Sequence, residues 1–346
     1  MKRVFDNAVI LEGDELTPLH GYVVVEEGII TEVSEGAYLG GDKEDVKRGI
    51  IVPSFTNAHV HLGDAGGQDL GAYLPIGERV GRNGLKYRIH RQPDSLEAIK
   101  DALKFMKQSG TGAFCDFREG GVDGVKELEP LIDVPSRILG RPLGDENIFE
   151  HCDGFGISSV KDYTPEILDR LLIHREGKLV GVHCSEVRDD VKEVLGIEPD
   201  FLVHLTTAGE KSLKKVFSKK IPIVLCPRAN ASFGVGLPDL KSILTGPCPV
   251  AIGTDNVMAN SPDMFREMEF LWKLYRGLYK DPEFNAKTVL KMATINGRRV
   301  LGLPDNTIKE GNHASFIVVK PKRFATDPVL SLVHRTSPAD IKKIVV

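Results

Sequence analysis

Short apolar runs alternate with amphipathic stretches through most of the chain, and both ends depart from that rhythm. Near the N-terminus, 4–11, 21–27 and 29–34 are apolar, valine- and isoleucine-bearing pieces separated by turn residues, so they predict strands. The stretch HGYVVVEEGIITEVSEG predicts a hairpin turning at Glu27-Gly28. Residues 314–320 and 341–346 are β-like again. Neither end has enough strands to bury a face alone. The pattern therefore predicts one small β-sandwich formed from both termini, 1–50 and 306–346, flanking a central domain at 51–305.

In the centre the apolar runs predict strands at 51–58, 112–117, 137–140, 154–158, 179–184, 201–204, 221–226 and 250–253. Amphipathic segments predict helices between or after them at 95–108, 122–131, 165–175, 186–195, 208–217, 237–244 and 262–279; only a weak helix follows 137–140. Eight strands at this spacing give an α/β chain with a (β/α)8 TIM-like barrel. A doubly wound sheet would alternate similarly, so the choice falls to the site residues. The segment 63–94 breaks the rhythm: it is glycine-rich and carries Arg79, Arg82, Lys86, Arg88, His90 and Arg91. A long aperiodic insertion of this kind predicts a cover over the barrel mouth, the alternative being a solvated excursion with local helix.

Charge and composition narrow the function classes. Lys plus Arg number 45 against 49 Asp plus Glu, a net charge of -4 with no block of one sign, so no nucleic-acid partner is expected. No apolar run reaches membrane-spanning length, and acidic residues interrupt the N-terminus before a signal peptide could form, which predicts a cytoplasmic protein without a membrane partner. The five cysteines are scattered, most of them in apolar runs, and read as reduced core residues.

The candidate chemistry sits at strand ends. His59 and His61 alternate in NAHVH and so share one face; His183 closes LVGVHCSE with Glu186 three residues on; His204 closes DFLVH; Asp255 closes VAIGTD. In a barrel these ends converge on one mouth. Three imidazoles and a carboxylate suit one divalent first-row ion, zinc first and iron second, and leave a position for water. Such an ion would acidify water and supply a hydroxide able to attack an sp2 carbon. Asp255 can then take the water's proton, Glu186 is placed to protonate a substrate nitrogen and later the leaving group, and His204 would stabilise charge on the attacking oxygen. Arg118, Glu119, Arg141, Arg228 and Asn230 follow other strands. Each reads either as a substrate contact or as a loop-bracing group.

Taken together, NAHVH, the His183-Cys184-Ser185-Glu186 segment, His204, LCPRANASFG (225–234) and GTDN (253–256) resemble the amidohydrolase superfamily, in its branch of nucleobase and nucleoside deaminases and chlorohydrolases. The resemblance runs over nearly the full length, split sandwich included. It implies His59, His61, His183 and Asp255 as ligands of one zinc or iron, Glu186 as general acid/base, and His204 in contact with the attacking water or the substrate. It implies a small heterocyclic substrate, a purine, pyrimidine or related base or nucleoside, losing ammonia, and it allows a homodimer. The alternatives are cleavage of a cyclic amide or other C–N bond, and a catalytically silent ligand-binding barrel. Two departures stand out: the chain is short for the branch, and Ser315 replaces the aspartate of the closing sandwich motif at 311–316. A two-metal site would want a carboxylated lysine ending the fourth strand, whereas Lys161 lies beyond it.

Overall fold

The computed structural model describes the 346-residue chain except residues 82, 91, 93, 143–145 and 324. One sheet runs, in spatial order, Val250–Ile252, Ile223–Leu225, Phe201–His204, Leu179–Cys184, Gly154–Ile157, Ser136–Gly140, Thr111–Arg118, Phe55–His61 and Asp255–Asn256. Its first and last members are two halves of one strand, interrupted only at Gly253 and Thr254. One half pairs with Ile223–Leu225 and the other with Phe55–His61, so the sheet closes on itself as an eight-stranded parallel barrel. Most of its strands are buried throughout, which is why they read as apolar runs and not as alternating ones.

Helices follow the strands in the predicted order: Ser95–Gln108, Gly121–Leu128, Pro165–Ile173, Val191–Val194, Glu210–Lys219, Leu240–Thr245 and Met264–Tyr279. Among the described residues after Ser136–Gly140, the short turn Glu146–Phe149 stands where a helix would follow. The helix predicted at 186–195 shrinks to Val191–Val194 because Ser185 and Asp190 satisfy each other instead. The Ser185 N–H donates to Asp190 Oδ1 at 2.8 Å and the Asp190 N–H to Ser185 Oγ at 3.3 Å. Local side-chain bonds of this kind compete with helical ones. Toward the C-terminal end, Ala286–Ala293, Ile295–Val300 and Pro328–His334 are among the helices that the pattern did not predict. No helix among the described residues is long and apolar enough to cross a membrane.

The second sheet draws on both ends of the chain, in the order Ile341–Val345, Phe316–Val319, Ile50–Pro53, Lys2–Glu12, Thr17–Glu26, Ile29–Glu35. The hairpin turns at Glu27 and Gly28, whose φ of 51° and 81° match the two-residue turn that follows the twist of its strands. Phe5, Ile10, Val23, Ile51, Phe316 and Val318 form its core, with Phe5 edge-on to Phe316 at 5.2 Å. By its contacts the chain divides into two compact units, Met1–Thr56 with Met106–Ala113 and Asp263–Val346, and Asn57–Phe105 with Phe114–Pro262.

Ser315, in the place of the motif's aspartate, is itself hydrogen-bonded on the buried side. Its Oγ accepts from buried Arg298 at 2.9 Å and lies 2.7 Å from Ser54 Oγ. Arg298 also donates to the carbonyls of Gly112 at 3.0 Å and Pro304 at 3.3 Å. Burial pushes its guanidinium down to about 10. Each bond from a charged donor is worth about 1.5–3 kcal/mol, and the abandoned acceptors stay buried. Arg298→Met is therefore expected to cost roughly 3 kcal/mol of stability, read as a lower urea midpoint at unchanged slope.

Candidate active site

The first barrel strand, Phe55–His61, is buried along its whole length and sends His59 and His61 toward the mouth. Asn57 between strand partners bonds Thr254 twice, donating to Oγ1 at 2.7 Å and accepting from N–H at 2.9 Å. That pair locks the break in the eighth strand. Gly253 lies so close that a Cβ there would fall 2.6 Å from the backbone N and O of His59, so no other residue fits. Beyond the break Asp255 takes a left-handed φ of 58°, which turns its carboxylate over His59 and His61. Such backbone is costly and is held by its surroundings.

The result is a tight donor cluster. His59 Nε2 lies 3.2 Å from His183 Nε2 and 3.3 Å from Asp255 Oδ1, and His61 Nε2 lies 3.5 Å from the same oxygen. Ligands at about 2.0–2.2 Å from a tetrahedral ion stand about 3.3–3.6 Å from one another, so these separations fit the edges of a zinc-type site. The protonation states of His59, His183 and Asp255 fit too. Burial pushes His59 down to about 4 and His183 well below its ordinary value, which leaves both imidazoles neutral with a lone pair to share. Burial acts on Asp255 in the opposite sense, yet the neighbouring imidazoles hold it below the usual carboxylate range, and it is ionised. Phe117 stacks on His183 at 5.2 Å and meets His59 edge-on at 4.4 Å, fixing both rings.

Glu186 and His204 stand beside this cluster. His204 also adopts positive φ, 78°, and its Nδ1 lies 2.9 Å from Asn230 Oδ1, with the amide oxygen as acceptor. Its other nitrogen, Nε2, has no hydrogen-bond partner among the described residues and lies 3.8 Å from Glu186 Oε1. Burial raises the Glu186 carboxyl, the shift expected of a proton donor. Asn230 lies in the helix Pro227–Phe233, which the apolar pattern did not predict, and its anchoring of His204 was not legible from their spacing. Arg228 instead donates to the Ser261 carbonyl.

A cavity of about 240 Å³ opens over these groups, floored by His61, His183, Glu186 and Asp255. Ile76, Val80 and Lys86 of the predicted cover line it, together with Arg141 and Phe233. The cover contains short helices at Ile76–Val80 and Lys86–Ile89. The arginines of the cover and of the neighbouring strand ends part company. Arg141 lines the cavity; Arg79 is buried against the Phe233 ring; Arg118 donates to the Gly124 carbonyl at 2.8 Å and faces Glu127; Arg82 lies outside the described residues.

The amidohydrolase family profile matches residues 153–346. Over 381 aligned positions the chain is 33% identical to a putative aminohydrolase of Methanothermobacter thermautotrophicus, covering 99% of this chain and 97% of that protein. The chain belongs to the amidohydrolase family. It is 25% identical to a 5-methylthioadenosine/S-adenosylhomocysteine deaminase of Pyrococcus furiosus, over 92% of this chain and 87% of that one. Among solved structures, an adenosine deaminase of Xanthomonas campestris with bound zinc shares the fold at a TM-score of 0.85 and 16% identity, over 99% of this chain and 90% of that one. This amidohydrolase is thus an enzyme acting on carbon–nitrogen bonds, and its clustered His and Asp side chains form the site of a divalent metal ion.

One feature of the amidohydrolase's site escaped the sequence. Glu119, just past the second strand, pairs with Lys86 of the cover at 2.6 Å, and lies 3.6 Å from Arg141 and 3.8 Å from His61 Nδ1. All four groups are buried. Burial by itself would lower His61, but the Glu119 carboxylate raises it to about 8. Lys86 and Glu119 are 33 positions apart, and nothing in their local patterns marks them as partners. Because removing one member of a buried pair strands the other, Lys86→Met is expected to cost roughly 3 kcal/mol. The double variant Lys86→Met with Glu119→Gln should recover part of that loss, which a denaturation cycle over the four proteins measures.

Proposed function

We propose that this amidohydrolase deaminates a small nitrogen heterocycle by hydrolysis, a purine, pyrimidine or related base or nucleoside, and releases ammonia. The observation that carries the reading is the pairing of Glu186 with His204 beside the donor cluster. Glu186 is given the proton and not the ion because it faces His204 and burial raises its carboxyl, which favours the protonated form. A divalent ion held by His59, His61, His183 and Asp255 would supply hydroxide at neutral pH by acidifying water. Asp255, ionised in its buried position, accepts the proton of the attacking water. Glu186 gives its proton to the ring nitrogen, takes up the proton that Asp255 received and passes it to the departing amine, and is restored by the hydroxyl proton released as the carbonyl forms. His204, held by Asn230, presents Nε2 to the attacking oxygen. Ile76, Val80 and Phe233 offer apolar contacts to a planar ring and help exclude water.

The match to the Pyrococcus furiosus deaminase supports the same chemistry. A second reading, hydrolysis of a cyclic amide, draws on the same hydroxide and proton shuttle. The two differ in product. The metal-loaded enzyme should be assayed for ammonia against purines, pyrimidines, pterins and their nucleosides, 5′-methylthioadenosine and S-adenosylhomocysteine included. Deamination predicts ammonia and a product about one mass unit heavier than substrate. Product gaining a whole water without ammonia would overturn deamination in favour of ring opening.

A further inference from the structure

The unit that joins both chain ends holds a second cavity, of about 790 Å³, none of whose residues serves the chemistry above. Its apolar part is made by Val9, Pro18, Ile50 and Pro321, and five cations line it: Lys47, Arg48, Lys320, Lys322 and Arg323. No described carboxylate lines it, in a chain whose acidic residues outnumber its basic ones 49 to 45. Elsewhere in the same unit cations are paired off, as Lys43 with Asp6, Lys291 with Glu15 and Lys343 with Glu44. Among the described residues, no carboxylate lies within ion-pair distance of Lys47, Lys320, Lys322 or Arg323.

The cations come from two segments that the second sheet brings together, and both are tied down. Lys47 and Arg48 have φ of 53° and 60°, consecutive left-handed residues. The Lys47 N–H donates to Asp45 Oδ1 and the Arg48 N–H to the Asn7 carbonyl, each at 2.7 Å. On the other side, the Lys320 N–H donates to the Asp340 carbonyl at 2.8 Å. Like charges gathered on a fixed backbone repel one another, and a bound anion relieves that repulsion.

We propose that this cavity binds a phosphorylated small molecule with an apolar body, of the nucleoside di- or triphosphate class. The volume is that of a site for a compact organic ligand, roughly 300–1,000 Å³. The cations match a short polyphosphate, while Val9, Pro18, Ile50 and Pro321 receive the uncharged part. A concave site with an apolar floor favours such a ligand over a membrane plane or an extended nucleic-acid strand. The inference stands apart from the deaminase reading, since no residue is shared.

The test is binding of ADP, AMP and adenosine to the full-length protein by titration calorimetry, repeated on Lys47→Glu and on the double variant Lys322→Glu with Arg323→Glu. ADP is expected to bind at least tenfold more tightly than adenosine, with AMP between. Both variants should weaken ADP at least tenfold while thermal midpoint and metal content stay unchanged. Comparing variants with the parent also separates this cavity from any ADP held at the barrel mouth, because only the former is lost. ADP affinity indifferent to both variants, no ADP binding at millimolar concentration, or RNA or anionic vesicles retained in excess ADP would each overturn the proposal.

Discussion

Glu186→Gln is expected to lower kcat by about 10²- to 10⁴-fold, the usual contribution of a positioned acid or base, while the protein keeps its metal. The amide matches the carboxyl in size, so the cavity wall is preserved and only proton transfer is removed. Retention of metal follows if Glu186 stands beside the donor cluster and not within it, which elemental analysis of the variant reads directly. The pH dependence has a definite sign. Burial raises the Glu186 carboxyl, keeping the proton-bearing form to higher pH than for an exposed glutamate. A residue that must start protonated loses activity as pH rises through its raised value. With metal kept saturating at every pH, a loss on the alkaline side of the kcat/KM profile is therefore expected. Loss on the acid side alone would make Glu186 the base in the free enzyme, and near-normal turnover by the glutamine variant would remove it from the mechanism.

The second large effect concerns the proposed ligands. His59→Ala and Asp255→Ala should each abolish stoichiometric metal and with it turnover, because each leaves a cluster of donors about 3.3 Å apart one member short. Affinity should also depend on pH through His61, which Glu119 raises to about 8. The proton competes with the ion for the imidazole, so affinity should fall about tenfold per pH unit below that value and level off above it. Glu119→Gln removes the carboxylate that holds the proton and should move the break to lower pH. Competition with a chelating dye across pH 6 to about 9 measures both effects without any assay of turnover. Metal affinity flat over that range would take His61 out of the ligand set.

The barrel was legible because it is written in local terms. Strands buried on both faces must be apolar runs, and helices on the outside must be amphipathic, so each element announces itself within a dozen residues. His59, His61, His183, His204 and Asp255 were recognisable for the same reason: polar residues at the ends of apolar strands are conspicuous, and a parallel barrel gathers those ends at one mouth. Glu186 was legible from its distance to His183, although the helix expected to carry it was not there; Ser185 and Asp190 had already spent their hydrogen bonds on each other.

What only the tertiary structure decided has a common physical origin, contact between segments whose own sequences do not refer to one another. Lys86 finds Glu119 across 33 residues, Asn230 finds His204 across 26, and Asn57 finds Thr254 across 197. Four arginines looked alike along the chain. Burial and neighbours sent Arg79 against Phe233, Arg118 to a carbonyl and Arg141 to the cavity wall, while Arg82 lies outside the described residues. A charged side chain carries no local pattern that says whether it will meet a partner or a ligand, because that depends on which electrostatic and hydrogen-bonding groups the closed fold brings within a few ångströms. Hydrophobic periodicity determines the elements; the pairing of charges waits for the fold.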